Sequence, residues 1–306
     1  MDTRRLELLR ELAERGTITA VAAATHRTPS AVSQQLKQLE REAGVPLTER
    51  SGRGIALTAA GRALARTAAD IAAAIERAEA VWEDYRAHPR GEVSLMVFQT
   101  AGRMLVPGML HAIAETPGLS VVCADTPGHT VDYTELTPDY DIVLADSSGV
   151  QPAWRERGLV VVALMREPLD IVLPADHRLA RRRSLAPADL VDERWIGVPE
   201  GYPFDVILRQ IEAVNGSPAH VVQRFSDNRI VEAMVRAGHG IAILPRFTTD
   251  TDGTGIVTRP ITEVRASRVI SALMRPDRAE RPSVRVVVDA LREQGRLVEE
   301  AGRELR

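Results

Sequence analysis

Leu6, Leu9, Leu12 and Ala13 recur at helical spacing and Gly16 follows them, so the chain opens on a short amphipathic helix. "TITAVAAAT" then offers Thr17 or Thr19 as an N-cap before a compact, alanine-rich helix that a neighbour can approach closely. Thr28 and Pro29 suit the N-cap and first position of a third helix. Val32, Leu36, Leu39 and Ala43 form its apolar stripe, and Gly44 and Pro46 stop it. Its other flank carries Ser30, Ser33, Gln34, Lys37, Gln38 and Arg41. "ERSGRGIALT", residues 49–58, reads as two short strands around a Gly-Arg-Gly tip. Leu57, Gly61, Leu64, Ala68, Ile71, Ile75, Ala78, Trp82 and Tyr85 then step by four and three, a heptad seam ended by Pro89-Arg90-Gly91. Such a helix either pairs with a second copy or packs on its own domain.

From residue 91 the period changes. "GEVSLMVFQT", "LSVVCADT" and "DYDIVLAD" read as strands and "RMLVPGMLHAIAE" as a helix, the alternation of a parallel α/β sheet. A second unit begins near "LVVVALMREPLDIVLP" and continues through "RWIGVPEGYPF", "DVILRQIEAV", "AHVVQRFS", "NRIVEAMVRAG" and "GIAILP". The strand in "VRASRVISALMR" and the helix from Pro282 return to the first lobe, so the chain crosses between lobes twice. Ligands of such sheets sit beyond the C-terminal strand ends, where helix N-termini offer free N–H groups. The junctions here are Gln99 and Thr100, Asp146 and Ser147, Pro199 with Tyr202 and Phe204, and Ser226 with Asp227. A Thr, Ser or Asp in such a place also serves as an ordinary helix cap, and an aromatic in a Pro-Gly loop also covers a core.

Composition narrows the class. The 306 residues are 44% hydrophobic and 26% charged, which fits a folded globular chain of two or three units. No apolar run reaches the roughly 18 residues of a membrane span, and the N-terminus lacks the apolar centre of a secretion signal, so a cytoplasmic protein is expected. The single cysteine, Cys123, cannot form an internal disulfide, and its apolar strand implies a core position. The net charge is −3, yet residues 1–66 hold eleven Arg or Lys against seven Asp or Glu, +4, which leaves −7 (28 minus 35) for the remainder. No catalytic constellation is legible. The seven histidines are scattered, no HExxH or Cys-His grouping suits a metal, "SGRG" lacks the Lys-Ser/Thr of a phosphate loop, and Gln34 rather than Ser sits three before Lys37. Neither a metal nor a cofactor is expected. "ARRRS" reads as a solvated loop and "AGHG", with His239, as a helix C-cap turn.

Charge and geometry meet on the third helix. An α-helix fits the major groove of B-DNA, where Gln suits adenine, Ser is tolerant, and Lys or Arg reaches guanine or phosphate. Lys37, the only lysine in the chain, stands on that flank. Arg50 and Arg53 of the wing could lie along the backbone or in the minor groove.

These residues resemble the LysR-type transcriptional regulators, most specifically in "TITAVAAATHRTPSAVSQQLKQLEREAGVPLTER" followed by "LTAAGRAL"; "EAMVRAGHGIAILP" resembles the most recognisable segment of that family's effector domain. The resemblance implies a multidomain α+β protein. A winged helix-turn-helix over residues 1–58 is followed by a linker, coiled-coil helix over 59–88. A two-lobed, periplasmic-binding-protein-like effector domain spans 91–306, with lobe I at 91–163 and 268–306 and lobe II at 164–267. It implies that Thr28, Pro29, Ser30, Ser33, Gln34 and Lys37 face DNA with Arg53 in the wing. It further implies that Leu64, Ile71, Ile75, Ala78, Trp82 and Tyr85 build a homodimer, and that a small-molecule effector shifts the spacing of paired DNA heads. Homotetramers are commonly formed in the family; promoter operator DNA is the expected partner, with RNA polymerase a further candidate, and no membrane or enzymatic role is expected. The chain departs from the family at Thr48, where an aromatic is usual, at Gln34, where Arg is frequent, and between Asp125 and Asp139, where a full helix is usual. A different-class alternative is a small-molecule-binding protein whose front domain makes protein contacts; a steep fall of log DNA affinity with log salt separates the two.

Overall fold

The computed structural model describes residues 1–51, 54–85, 89–126, 132–148 and 152–304. Its first unit is a three-helix head. Asp2 caps α1 (Thr3–Arg15) by accepting from the Arg4 N–H at 2.9 Å, and Gly16 closes it in the left-handed conformation at φ 71°. Thr17, not Thr19, caps α2 (Ile18–Ala24). Thr28 caps α3 (Pro29–Ala43), Pro29 takes its first turn, and Gly44 ends it at φ 70°. Leu6, Leu9, Leu12, Val21, Val32, Leu36, Leu39 and Leu47 meet in one core. Fully burying each of the leucines contributes about 1.5–3 kcal/mol. The wing is β1 (Thr48–Ser51) paired antiparallel with β2 (Gly54–Leu57); Arg53 lies outside the described residues.

The linker is α4 (Ala59–Tyr85), and its heptad seam divides. Ala65 and Ala68 are buried in the head core, with Leu64 and Ile71 packed against it. Gly61 permits that approach, since a Cβ there would stand 2.0 Å from the Leu47 carbonyl oxygen. Further along, Ile75, Ala78 and Trp82 are exposed, Trp82 by 63%. The Tyr85 side chain lies outside the described residues. Ala73 and Ala80 are buried, and α4 also packs along α9 (Pro276–Glu280).

The larger unit is two lobes joined by shared strands. In the first, β3 (Gly91–Phe98) runs parallel to β4 (Leu119–Thr126) and β5 (Ile142–Ser147), while β11 (Ser267–Met274) pairs antiparallel with β5 and with β6 (Val160–Pro174). The sheet is therefore mixed rather than parallel throughout, because β11 re-enters the first lobe from the second. The 15-residue β6 pairs with β11 as far as Pro168 and with β9 (Ala242–Pro245) and β10 (Ile256–Arg259) beyond it. The second lobe adds the parallel pair β7 (Arg194–Gly197) and β8 (His220–Arg224). Helices α5 (Gln99–Ile113) and α10 (Pro282–Glu304) pack on each other at the first lobe; α6 (Pro152–Glu156) is a short turn beside β6, and α7 (Pro203–Asn215) and α8 (Asn228–Arg236) serve the second. Each lobe has its own core, around Leu95, Leu105, Ile142 and Ile270 in one and Ile171, Trp195, Ile207 and Leu244 in the other.

Two sequence expectations are corrected here. Cys123 is exposed, because β4 is the edge strand of its sheet and Val122 beside it is also 52% exposed. Helix α5 begins at Gln99, directly on the strand end, not at Arg103. The short elements α6, β10 and α9 carry too little periodicity to be read in advance. Between Asp125 and Asp139 the only helix among the described residues is a 3-10 turn, Tyr133–Leu136. No helix among them is long and apolar enough to cross a membrane, and no group of His, Cys, Asp and Glu among them could hold a metal ion.

Candidate functional site

The polar flank of α3 faces outward. Thr28, Pro29, Ser30, Gln34 and Lys37 are exposed and Ser33 is half-buried, while Val32, Leu36 and Leu39 are buried beneath them. The Thr28 hydroxyl accepts from the Ala31 N–H at 3.2 Å and lies 3.1 Å from Ser30 Oγ, so both begin the helix in a fixed arrangement. Arg50 is exposed on β1, beside the tip. Arg5 ties the helix down from behind, donating to Gln35 at 3.0 Å and pairing with Glu42.

Thr48 acquires an explanation. Where an apolar ring would fill space, the Thr48 hydroxyl and N–H and the Leu47 N–H all donate to Glu40 Oε1, at 2.9, 2.8 and 2.9 Å. One carboxylate oxygen thus fastens the end of α3 to the first wing strand. Burial pushes the Glu40 carboxyl up, but these donors outweigh it and hold it below its ordinary value. Glu40→Gln should therefore weaken the head by about 1–3 kcal/mol at neutral pH. Because the folded-state pKa is depressed, this contribution is full above the ordinary pH 4.5 and lost as pH falls through the lower folded value. Urea unfolding followed through the helical signal between pH 7 and pH 3 checks it: the gap between parent and variant should close on acidification, and a constant gap contradicts the assignment.

The strand-end junctions converge on a residue that the sequence reading missed. Arg268 is 1% exposed at the start of β11. Its Nε and Nη2 donate to Glu167 Oε2 at 2.8 and 2.6 Å, Nη1 to Asp146 Oδ2 at 3.0 Å, and Nη2 also to Thr100 Oγ1 at 2.6 Å. The guanidinium carbon lies 5.2 Å from the Phe98 ring centroid and 5.4 Å from that of Phe204, a cation–π sandwich. Tyr133 donates to Asp146 Oδ1 at 3.0 Å. Thr100, Asp146 and Phe98 belong to the first lobe and Phe204 to the second, so the cluster ties the two lobes together. Burial pushes the Glu167 carboxyl up against the pull of Arg268.

The remaining predicted junction residues stand around this cluster or away from it. Ser147 is buried beside Asp146, Pro199 and Tyr202 are half-buried, and Gln99 and Ser226 are exposed. Asp227 is a helix cap: it accepts from the Arg229 N–H at 2.9 Å and pairs with the Arg229 guanidinium at 2.7 Å. The signal for Arg268 was a lone charge in the otherwise apolar "RVISALM", matched by Glu167 in "ALMREPLDIVL".

A second ionic cluster joins the head to the first lobe. Arg10 pairs with Asp277 at 3.0 Å; Arg275 pairs with Glu11 and Glu14, both at 2.9 Å, and with Asp277 at 3.3 Å. Arg15 bridges Glu11 at 2.7 Å and Asp139 at 2.9 Å. Arg10, Glu11, Arg275 and Asp277 are all buried.

Known proteins share this architecture. Residues 86–296 match the model of the LysR substrate binding domain, and residues 3–62 that of the bacterial regulatory helix-turn-helix protein, lysR family. The HTH-type transcriptional regulator YybE of Bacillus subtilis is 27% identical over 269 residues, 87% of this chain and 88% of that protein. Among solved structures, a full-length, singly substituted OxyR from Pseudomonas aeruginosa superposes with a TM-score of 0.63 at 20% identity, covering 95% of this chain and 98% of that one. The regulator CbnR in complex with its target DNA gives a TM-score of 0.53 at 23% identity, covering 96% and 100%. Likeness at this identity shows the fold.

Proposed function

The chain belongs to the LysR family of DNA-binding transcriptional regulators, which carry an effector-binding domain and are not enzymes, and from that premise we propose which of its residues do the work. Helix α3 enters the major groove: Ser30, Ser33, Gln34 and Lys37 meet base edges, Thr28 and Pro29 meet the backbone at the helix start, and Arg50 and Arg53 follow the groove beside it. The observation that carries this reading is the exposure of Gln34 and Lys37 directly above a fully buried Val32-Leu36-Leu39 stripe.

The effector site is the inter-lobe cleft, with Thr100, Asp146, Ser147, Tyr202 and Phe204 nearest its centre and Gln99, Pro199, Ser226 and Asp227 at its rim. The Arg268 cluster holds the lobes in one arrangement; an effector that prefers another shifts the equilibrium by its difference in affinity. Ile75, Ala78 and Trp82 form the exposed part of a dimer seam, continued by Tyr85, while Leu64 and Ile71 seat the helix on its own head, so that two copies of α3 read half-sites one helical turn or a multiple apart. The reading extends to a cytoplasmic homodimer, assembling to a homotetramer, on operator DNA within promoters, where RNA polymerase is the neighbouring partner.

Protection mapping and anisotropy titrations on DNA flanking the chain's own coding region test it. Affinity should fall steeply and linearly in log–log form with salt. Gln34→Ala should cost about 1–3 kcal/mol and relax preference at one base pair, whereas Lys37→Ala, if it contacts phosphate, should lower the salt slope by about 1. Equal loss on random duplexes for Gln34→Ala would remove that residue from base readout.

A further inference from the structure

The inter-lobe cleft is not the only place where charge and apolar surface converge. A half-enclosed cavity of about 280 Å³ lies between β6, the segment after β9 and the end of α10. Its apolar walls are Pro168, the Phe247 ring and Gly302. Gly302 creates the room, since a Cβ there would stand 2.2 Å from Phe247 Cε1 and push the ring away from α10. Its charged wall is arginine. Arg246 is fully engaged by Asp170 at 2.6 Å through both Nε and Nη2, and Arg303 leans on Glu299 at 3.3 Å. Arg166 differs: its guanidinium donates to Ser267 Oγ at 3.0 Å and forms no ion pair among the described residues. The Glu299 carboxylate is occupied by the Arg166 backbone N–H at 2.6 Å, on its other oxygen from the one facing Arg303. Three guanidiniums thus face two carboxylates, and the uncompensated positive charge stands at Arg166.

Strand alternation puts this cavity behind the cleft. Glu167 points inward to Arg268, so Arg166 and Pro168 on either side of it point to the opposite face of β6. The Phe247 N–H donates to Glu167 Oε1 at 3.3 Å, from the segment running beside β6. An occupant would therefore touch β6 at its crossing, the segment leaving β9, and through Ser267 the start of β11, the strands that link the lobes.

The geometry points to a second small-molecule site here, for a compact carboxylate with an apolar body: the carboxylate on Arg166, the body against Phe247 and Pro168. An apolar cavity of about 150 Å³ accepts a benzene ring, so 280 Å³ accommodates a ring with its carboxylate. The site is independent of the effector cleft, and its test needs no DNA. Full-length protein is titrated with phenylacetate, and with phenethylamine as its cationic counterpart, by saturation-transfer NMR. Saturable phenylacetate binding is expected, with phenethylamine at least tenfold weaker. Arg166→Met should weaken phenylacetate at least tenfold, Gly302→Val likewise by displacing Phe247 into the cavity, and Thr100→Ala in the cleft should leave it within twofold. Arg166 is exposed, so Arg166→Met should melt with the parent, which separates lost binding from lost fold. Absence of saturable phenylacetate binding, equal affinity for the amine, or loss that follows Thr100→Ala instead of Arg166→Met overturns the proposal.

Discussion

Arg268→Met is expected to destabilise the effector domain by about 3–5 kcal/mol, because removing one partner from a buried ionic group strands the charges left behind. Two carboxylates, Asp146 and Glu167, share this one guanidinium, and both are buried. The pH dependence identifies the cause. Glu167 already titrates above its ordinary value, and without Arg268 it must rise further. A carboxyl whose folded pKa is raised contributes stability below the unfolded pKa, near 4.5, and loses it as pH rises through the folded value. The deficit of Arg268→Met should therefore be larger at pH 8 than at pH 5, and adding Glu167→Gln should restore part of it at pH 8. Chemical denaturation of the three proteins at the two pH values measures this. A pH-independent deficit would mean that lost packing against Phe98 and Phe204, not stranded charge, is responsible. With the lobes no longer clamped, exchange protection at the ends of β5 and β11 should fall in the same variant, while α3 keeps its own protection because the head has a separate core.

What was legible in the sequence followed local rules. Thr28, Pro29, Gly44 and the Val32-Leu36-Leu39 stripe define α3 within a window of 17 residues, from Thr28 to Gly44, and the structure agrees to the residue. The junction residues could be read as strand ends because strand ends are local features too. Arg268 was not legible, because its meaning depends on Asp146, Glu167, Thr100 and Phe204, which lie up to 168 residues away in sequence. Cys123 failed for a related reason: an apolar strand looks the same at the centre of a sheet as at its edge, and only the strand order, with β4 outermost, exposes it. The heptad seam was visible, but its division was not. Which half of α4 packs on its own head is decided by α1, through Leu64, Ala65 and Ala68, and no period within α4 encodes that.

Strand β11 makes the head–lobe cluster more than a local contact. Arg268 stands at one end between the lobes, and Arg275 follows its last residue, Met274, among Glu11, Glu14 and Asp277. Seven steps of strand separate the two arginines, about 24 Å, through the middle of a sheet that pairs β11 on both sides. A shift of the lobes that moves Arg268 along this stiff strand must also move Arg275 against the head. Arg275→Met removes the only guanidinium among the described residues that contacts Glu11, Glu14 and Asp277 together, and should weaken head docking by about 3–5 kcal/mol. Hydrogen exchange of the full-length protein should then rise in α1 and α9 while β11 stays protected, and scattering should report a more extended particle. Glu14 sharpens the test. Burial pushes its carboxyl above the ordinary range, with Arg275 the strongest pull in the other direction. Without Arg275, the charged form of Glu14 becomes costlier at this contact as pH rises through its folded value, so the loosening should be greater at pH 8 than at pH 5. If α1 and α9 exchange as in the parent at both pH values, the head is held by the apolar contact between α1 and α4, and β11 carries no signal from the cleft.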